Sequence, residues 1–233
     1  MPEHTVKQFD AELENLRTRV LQMGGLVEQQ ILGAIRGYEE GDLMLLEQVV
    51  NNDQRVNLHE VEIDEACSHI IAKRQPAASD LRMVMAVVKS STDLERMGDE
   101  AKKIAKIARA LHDRHGMVSP PVELGHIAES VLAMLRDALD AFARLDVTAA
   151  AEVVRRDREV DAEYKAIARQ LLTYMMEDPR TITGALDLTF LAKSLERIGD
   201  HAKNMSEYVV YLVKGRDVRH LGLEAVERAA TGP

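Results

Sequence analysis

The sequence predicts an all-α protein, a tandem repeat of two three-helix bundles with six long helices in all. Apolar residues recur at steps of three and four through most of the chain, which is the spacing of helices and not of strands. A few prolines divide the chain into long segments of this kind. The two halves also carry the same motifs in the same order, which indicates a duplicated unit.

The first half predicts three helices joined by short connections. The first helix runs from Val6 to Tyr38 and is broken by Gly41-Asp42. The second runs from Leu43 to Lys73, with Asp42 as a suitable N-cap. Gln75-Pro76 closes it, because the residue before a proline resists the α conformation. The third helix runs from Ala77 to His112.

A segment that contains glycine and two prolines, residues 115–121, separates the halves. Three further helices are predicted after it: Val122 to Arg144, Val147 to Met176 and Ile182 to Lys214. The predicted domains are residues 1–115 and residues 119–215, each a three-helix bundle. A tail, residues 216–233, has room for one more short helix.

The composition supports a folded helical protein and excludes some functions. Hydrophobic residues make up 46% of the chain and charged residues 30%, while aromatic residues make up only 3% and 11 residues are Met. The formal net charge of −9 leaves no overall basic surface of the kind that nucleic acid requires. The same charge disfavours direct binding to an anionic membrane.

The sequence also predicts a cytoplasmic location. The single cysteine, Cys67, cannot form an internal disulfide, which fits a reducing compartment. The first 16 residues are charged throughout and resemble no signal peptide. No apolar run approaches the ~18 residues that a membrane-spanning helix needs.

Two pairs of segments show the duplication directly. Leu94–Lys102 reads LERMGDEAK and Leu195–Lys203 reads LERIGDHAK, at an offset of 196 − 95 = 101. Val49–Asn57 and Val153–Asp161 match at an offset of 157 − 53 = 104. A repeat of about a hundred residues is a duplicated domain rather than a solenoid unit.

The repeated segments carry acids that suit metal binding. Each has a glutamate and an aspartate four residues apart, which places both on one helix face with Cβ atoms ~5–6 Å apart. Hard oxygen ligands bind Mg, Mn or Fe, so one hypothesis is a site in each half for an ion such as Fe, Mn, Mg or Zn. The alternative is a solvated charged face. The candidate ligands are Glu95, Asp99, Asp53 and Asp64 in the first half and Glu196, Asp200, Asp157 and Asp161 in the second.

Glycine recurs at one position of the repeated segments, as Gly98 and Gly199. A glycine inside a helix costs ~1 kcal/mol relative to alanine. Its presence in both copies therefore predicts close approach by another backbone or by a bound ion. The sequence shows no phosphate-binding glycine loop, nucleophile elbow or zinc-type Cys/His cluster, so we predict no catalytic residues and no enzyme.

Several segments resemble the PhoU family, accessory regulators of phosphate-specific transport. The resemblance is specific and covers almost the whole chain. The segments that carry it are Met23–Gln30, Gln75–Arg82, Asp178–Thr183, Ser194–Ala202 and Tyr211–His220.

The resemblance implies two three-helix bundles in a cytoplasmic protein that is often a homodimer. It implies a negative regulator of the phosphate regulon and of phosphate uptake, which links the ATPase subunit of a phosphate ABC transporter to a PhoR-type sensor histidine kinase. The protein would then meet the membrane only through these partners. In some relatives metal clusters bind the motifs that match Glu95/Asp99 and Glu196/Asp200. Asn57 stands where the second half has Asp161, so the first site is expected to be the weaker one.

Two other hypotheses stay open at this point. One is a carboxylate-bridged metalloprotein of ferritin type, which needs two Glu-x-x-His motifs. The chain has a single such motif, Glu123-x-x-His126, at a predicted helix start. The other is a structural bundle without a site.

Overall fold

The computed structural model describes residues 7–113, 120–219 and 221–231, and these residues form helices and short connections without a strand. This confirms the all-α prediction. The helices are α1 Lys7–Glu40, α2 Leu43–Arg74, α3 Ser79–Asp113, α4 Gly125–Arg144, α5 Val147–Glu177, α6 Ile182–Lys214 and α7 Leu223–Thr231, with a short 3-10 turn at Pro179–Thr181. Most of the predicted linker, and with it the predicted boundary between the domains, lies outside the described residues.

Local chemistry explains where the helices begin and end. A carboxylate oxygen of Asp42 accepts a hydrogen bond from the backbone N–H of Leu45 at 3.0 Å, which confirms the predicted N-cap of α2. Asp146 caps α5 in the same way, and sequence reasoning missed it. Gln75 ends α2 in the left-handed conformation, with φ of 48°. Helix α4 begins at Gly125 and not at the predicted Val122, since the chain after Pro120 and Pro121 stays non-helical as far as Leu124.

The helices pack as two groups of three around a continuous apolar core. Helices α1, α2 and α3 contact one another, and so do α4, α5 and α6. The groups meet mainly through α3 against α6, with a smaller contact of α1 with α4. The core runs through both groups without a break, and burying each large side chain in it contributes ~1.5–3 kcal/mol. The fully buried large side chains include Leu16, Met23, Leu94, Met134 and Phe142.

Helices α3 and α6 run antiparallel. Lys89, near the start of α3, lies over the ring of Tyr208, near the end of α6. Further along α3, Glu100 forms an ion pair with Arg197 at 2.8 Å. The two repeated segments therefore lie side by side where the halves meet.

Helix α7 completes the described structure by packing on α5 and α6. It buries Val226 and Ala229, and Arg155 of α5 forms an ion pair with Glu227 of α7 at 2.7 Å. None of the helices in the described residues is long and apolar enough to span a membrane.

Candidate functional site

Each half contains one buried aspartate that a lysine neutralises. Asp53 of α2 and Asp157 of α5 accept hydrogen bonds at 2.6 Å from Lys102 of α3 and Lys203 of α6. Their side chains are 3% and 7% exposed, so the paired charge is largely shielded from water. Both lysines close the repeated segments, and their equivalent positions were a signal that sequence reasoning did not use.

Five acids of α2 and α3 share one surface in the first half. This acidic face consists of Asp53, Glu60, Asp64, Glu95 and Asp99. Burial raises the pKa of Glu95, and the charges of Asp99, Glu60 and Asp53 raise it further. Burial likewise raises the pKa values of Glu60 and Asp64. Asp99 is half exposed and lies 3.7 Å from Lys102.

The acids of the second half are more fully compensated. Lys193 donates to both oxygens of the buried Glu196 and also lies 5.2 Å above the ring of Tyr164. Burial raises the pKa of Asp200, and the charges of Glu196 and Asp157 add to the rise. Asp161 is turned towards Lys165 of its own helix, at 3.9 Å. The structure therefore brings Glu196, Asp200 and Asp157 near one another and leaves Asp161 apart.

These arrangements do not form a ready metal site. Within residues 7–113, 120–219 and 221–231, no group of three or more His, Cys, Asp or Glu side chains could hold a metal ion. Lysine ammonium groups already supply positive charge at Asp53, Asp157 and Glu196. As they are arranged, the carboxylates do not fit a metal ion, and the metal hypothesis stays a prediction.

The two motif glycines contact side chains of neighbouring helices. A Cβ on Gly98 would lie 3.1 Å from the amide oxygen of Gln30 and 3.3 Å from Val56. A Cβ on Gly199 would lie 3.5 Å from both Val131 and Val160. The close approach that the sequence predicted is found at Gly98, where side chains of neighbouring helices make it, whereas the contacts at Gly199 are at ordinary distances.

A buried polar cluster joins the two halves, and we call Asp93, His201, Asn204 and Tyr208 the interbundle cluster. Asp93 of α3 accepts hydrogen bonds from Nδ1 of His201 at 2.7 Å and from the amide of Asn204 at 3.2 Å. Both Asp93 and His201 are buried. Burial raises the pKa of Tyr208, and the neighbouring Asp93 carboxylate raises it further. Sequence reasoning missed Asp93 because it lies one residue outside the repeated segment.

A polar cleft of about 400 Å³ lies between α5, α6 and the chain that follows α6. We call it the tail cleft. Lys203 and the buried Glu207 line it from α6, Arg158 from α5 and Arg219 from the following chain. Burial raises the pKa of Glu207 to about 7.

Comparison with known proteins gives consistent matches over nearly the full length. The PhoU domain model matches residues 20–108 and 124–209, one stretch in each half. The chain is 51% identical over 227 residues to the phosphate-specific transport system accessory protein PhoU of Serratia marcescens, covering 97% of this chain and 92% of that protein. It is 47% identical over 230 residues to the protein of the same name from Escherichia coli K12, covering 98% and 95%.

Solved structures share the fold. The crystal structure of PhoU from Pseudomonas aeruginosa matches with a TM-score of 0.86 and 48% identity, covering 89% of this chain and 100% of that chain. The phosphate transport system regulatory protein PhoU from Streptococcus pneumoniae matches with a TM-score of 0.84 and 30% identity, covering 90% and 99%.

Proposed function

The chain belongs to the PhoU family, and we propose that it is an accessory protein of a phosphate-specific transport system that represses the phosphate regulon when phosphate is plentiful. The observation that carries this proposal is the identity of about half the residues, over nearly the whole chain, to proteins named as accessory proteins of the phosphate-specific transport system, while the repressing role is what the family resemblance implies. The repeated segments, which distinguish this chain from a generic bundle, lie inside both stretches of the family match.

We further propose that the protein acts as a cytoplasmic, non-enzymatic adaptor and forms a homodimer. Its partners would be the ATPase subunit of a phosphate ABC transporter and a PhoR-type sensor histidine kinase. The shape of the molecule supports two separate binding surfaces. Leu81 and Met85, early in α3, are exposed, and so are their counterparts Ile182 and Leu186, early in α6. Because α3 and α6 are antiparallel, these apolar pairs lie at opposite ends of the molecule.

Exposed apolar residues of this kind are typical of protein-binding surfaces when they cluster. Each end adds further exposed apolar residues. The first end adds Ile71 and Val213, at the ends of α2 and α6, and the second adds Leu172, Met176 and Phe190, of which Met176 is 79% exposed. The different residues at the two ends suit two different partners.

The ferritin-type alternative has no comparable support. His126 pairs with Glu163 of α5 at 2.9 Å, so the histidine of the single Glu-x-x-His motif is used in a surface ion pair. The adaptor proposal does not depend on a metal ion in either half.

The test is a strain that lacks this gene and carries a phosphate-starvation reporter. We expect the reporter to be active in rich phosphate, and a plasmid copy of the gene to silence it. A parallel plasmid with an early stop codon is the control. A reporter that stays silent without the gene would contradict the regulatory proposal.

A further inference from the structure

The tail cleft is a feature of the second half that neither the duplication nor the acidic motifs explain. We propose that it binds a small oxyanion of the phosphate class, either free phosphate or a phosphate monoester. Its volume of about 400 Å³ falls in the usual range for small-molecule sites. The cleft accommodates more than a phosphate group alone, so the two sources of this chemistry are separate arms of the test.

Three basic and two acidic side chains line the cleft, although the whole chain is strongly acidic, and Asp217 pairs with Arg219 beside it. Arg158 is exposed and forms no ion pair with any described residue. Lys203 gives one of its three N–H groups to Asp157 and retains two. Arg219 binds Asp217 through Nε and one terminal nitrogen, which leaves further N–H donors on the same guanidinium. An oxyanion in the cleft can therefore accept hydrogen bonds from three cations.

The carboxyl of Glu207 is compatible with an anion in the cleft. It is buried, and its pKa of about 7 leaves it partly protonated at neutral pH, so it can donate a hydrogen bond. The groups that face it are Lys203 on its own helix, Asp157 on α5, and Arg219 and Asp217 on the following chain. The opposite charges of Lys203 and Arg219 limit the rise in its pKa.

The duplication offers an internal comparison. The first half has the same buried pair, Asp53 with Lys102, at the same 2.6 Å. At the offset of 104 residues, 158 − 104 = 54, Gln54 stands in the place of Arg158. An arginine at this position is therefore particular to the second half, and Arg158→Gln restores the residue that the first half has.

The cleft is connected to the contact between the halves. Asn204 and Tyr208 line it, and both belong to the interbundle cluster around Asp93 of α3. An anion that shifts either side chain would alter that contact. Any regulatory use of this connection rests on the proposed function, whereas the binding itself does not.

The experiment is calorimetric titration of the full-length protein with inorganic phosphate and, separately, with adenosine monophosphate, in chloride buffer at constant ionic strength. We expect saturable binding of at least one of them, at one anion per chain. Arg158→Gln should weaken it about tenfold, the effect of losing one charge-assisted hydrogen bond. Arg219→Gln is a second variant with the same expectation. Arg169→Gln, an exposed arginine of the same helix away from the cleft, is the matched control and should bind as wild type does.

Two results would overturn the inference. One is the absence of saturable binding by both probes in the millimolar range. The other is equal binding by Arg158→Gln, Arg219→Gln and Arg169→Gln, which would place the anion elsewhere. Tighter binding of the nucleotide than of phosphate would identify a phosphate ester, and the reverse would identify free phosphate. The reporter assay is independent, so a chain that binds the anion but fails to repress would contradict the proposed function alone.

Discussion

At the scale of single residues, the most consequential side chain in the contact between the halves is Asp93. It accepts hydrogen bonds from His201 and Asn204 in a buried environment. Removing one member of such a buried pair leaves its partners without compensation and typically costs ~3–5 kcal/mol. We expect Asp93→Ala to lower Tm by about 10 °C, at 2–4 °C for each kcal/mol in a chain of this size. Thermal unfolding followed by circular dichroism measures this change.

Asp140→Ala is the matched control for that substitution. Asp140 is exposed on α4 and, among the described residues, pairs only with Arg144 of the same helix, and surface pairs contribute ~0–1 kcal/mol. Equal Tm values for Asp93→Ala and Asp140→Ala would show that the interbundle cluster does not hold the halves together.

Glu207 gives a prediction about pH. Its pKa is about 7 in the folded protein against an ordinary value of 4.5, so the unfolded chain loses this proton at lower pH than the folded chain does. Its contribution to stability is therefore most favourable below about pH 4.5, falls as pH rises towards 7, and is constant above that. The glutamine side chain of the Glu207→Gln variant cannot ionise. This variant should therefore have a higher Tm than wild type at pH 8, by about 2–4 °C for each kcal/mol gained in the free energy of unfolding, and the same Tm near pH 4.5.

The control for pH is Glu159→Gln, an exposed glutamate of α5. It should follow the wild-type curve at every pH. A Glu207→Gln protein whose Tm runs parallel to wild type from pH 4.5 to 8 would mean that Glu207 ionises normally in the folded state.

At the scale of helices, the two motif glycines give a matched comparison between α3 and α6. A Cβ at Gly199 meets its neighbours at ordinary contact distances of 3.5 Å and more, whereas at Gly98 it would crowd Gln30 at 3.1 Å. Alanine is favoured over glycine in a helix by ~1 kcal/mol. We expect Gly199→Ala to raise Tm by about 2–4 °C and Gly98→Ala to raise it less or lower it. Gly199→Leu should lower it, because overpacking costs ~1–3 kcal/mol.

Thermal unfolding of the three glycine variants is the measurement. Identical, raised Tm values for Gly98→Ala and Gly199→Ala would show that the Gln30 side chain moves away from the new methyl group at no measurable cost in stability. An unchanged Tm in Gly199→Leu would show that this position has open space beside it.

The metal hypothesis also belongs to the scale of helix pairs, and the structure changes which half we expect to bind an ion first. The sequence favoured the second half, since Asp161 replaces Asn57 there. In the structure Asp161 is turned towards Lys165, and Lys193 holds Glu196. In the first half, by contrast, no lysine or arginine among the described residues forms an ion pair with Glu60, Asp64 or Glu95. Binding there requires less rearrangement.

Elemental analysis after loading with Mn or Fe tests this expectation. Glu95→Gln with Asp99→Asn should remove more bound metal than Glu196→Gln with Asp200→Asn. The unmutated protein is the reference. If it retains no metal, or if all three proteins retain the same amount, the acids of both halves are a charged surface and nothing more.

At the scale of the whole molecule, the sequence predicted the helices better than the contacts between them. The start of α2 depends on Asp42 and its end on Gln75-Pro76, which are local effects visible in a few neighbouring residues. The spacing of Glu95 and Asp99, four residues apart, is also local, and it predicted that both lie on one face of α3. The pairing of Asp93 with His201 joins residues 108 apart, so it depends on how α3 packs on α6. Helical periodicity gives no information about that packing.

The duplication could have supplied part of the missing information. Lys102 and Lys203 occupy equivalent positions and neutralise equivalent aspartates. A comparison of the two halves for acid–lysine pairs, and not for acids alone, predicts that a lysine supplies the positive charge for which the sequence suggested a metal ion. Asp93 offered no such signal, because the second half has Ser194 at the equivalent position.

The antiparallel contact of α3 with α6 leads to the last prediction, which concerns the two apolar ends. Leu81→Ser with Met85→Ser removes exposed apolar surface at one end, and Ile182→Ser with Leu186→Ser removes it at the other. If each end binds a different partner, both double variants should lose repression of the phosphate-starvation reporter. Each should also lose a different protein on co-purification from cells grown in rich phosphate.

Leu58→Ser, at an exposed position in the middle of α2, is the control and should retain repression and both partners. Because surface substitutions away from special features change stability by only about 0.5 kcal/mol, an unchanged Tm would separate lost binding from lost folding. Two double variants that still repress and still bring both partners along would show that the apolar ends are not the surfaces through which the protein acts.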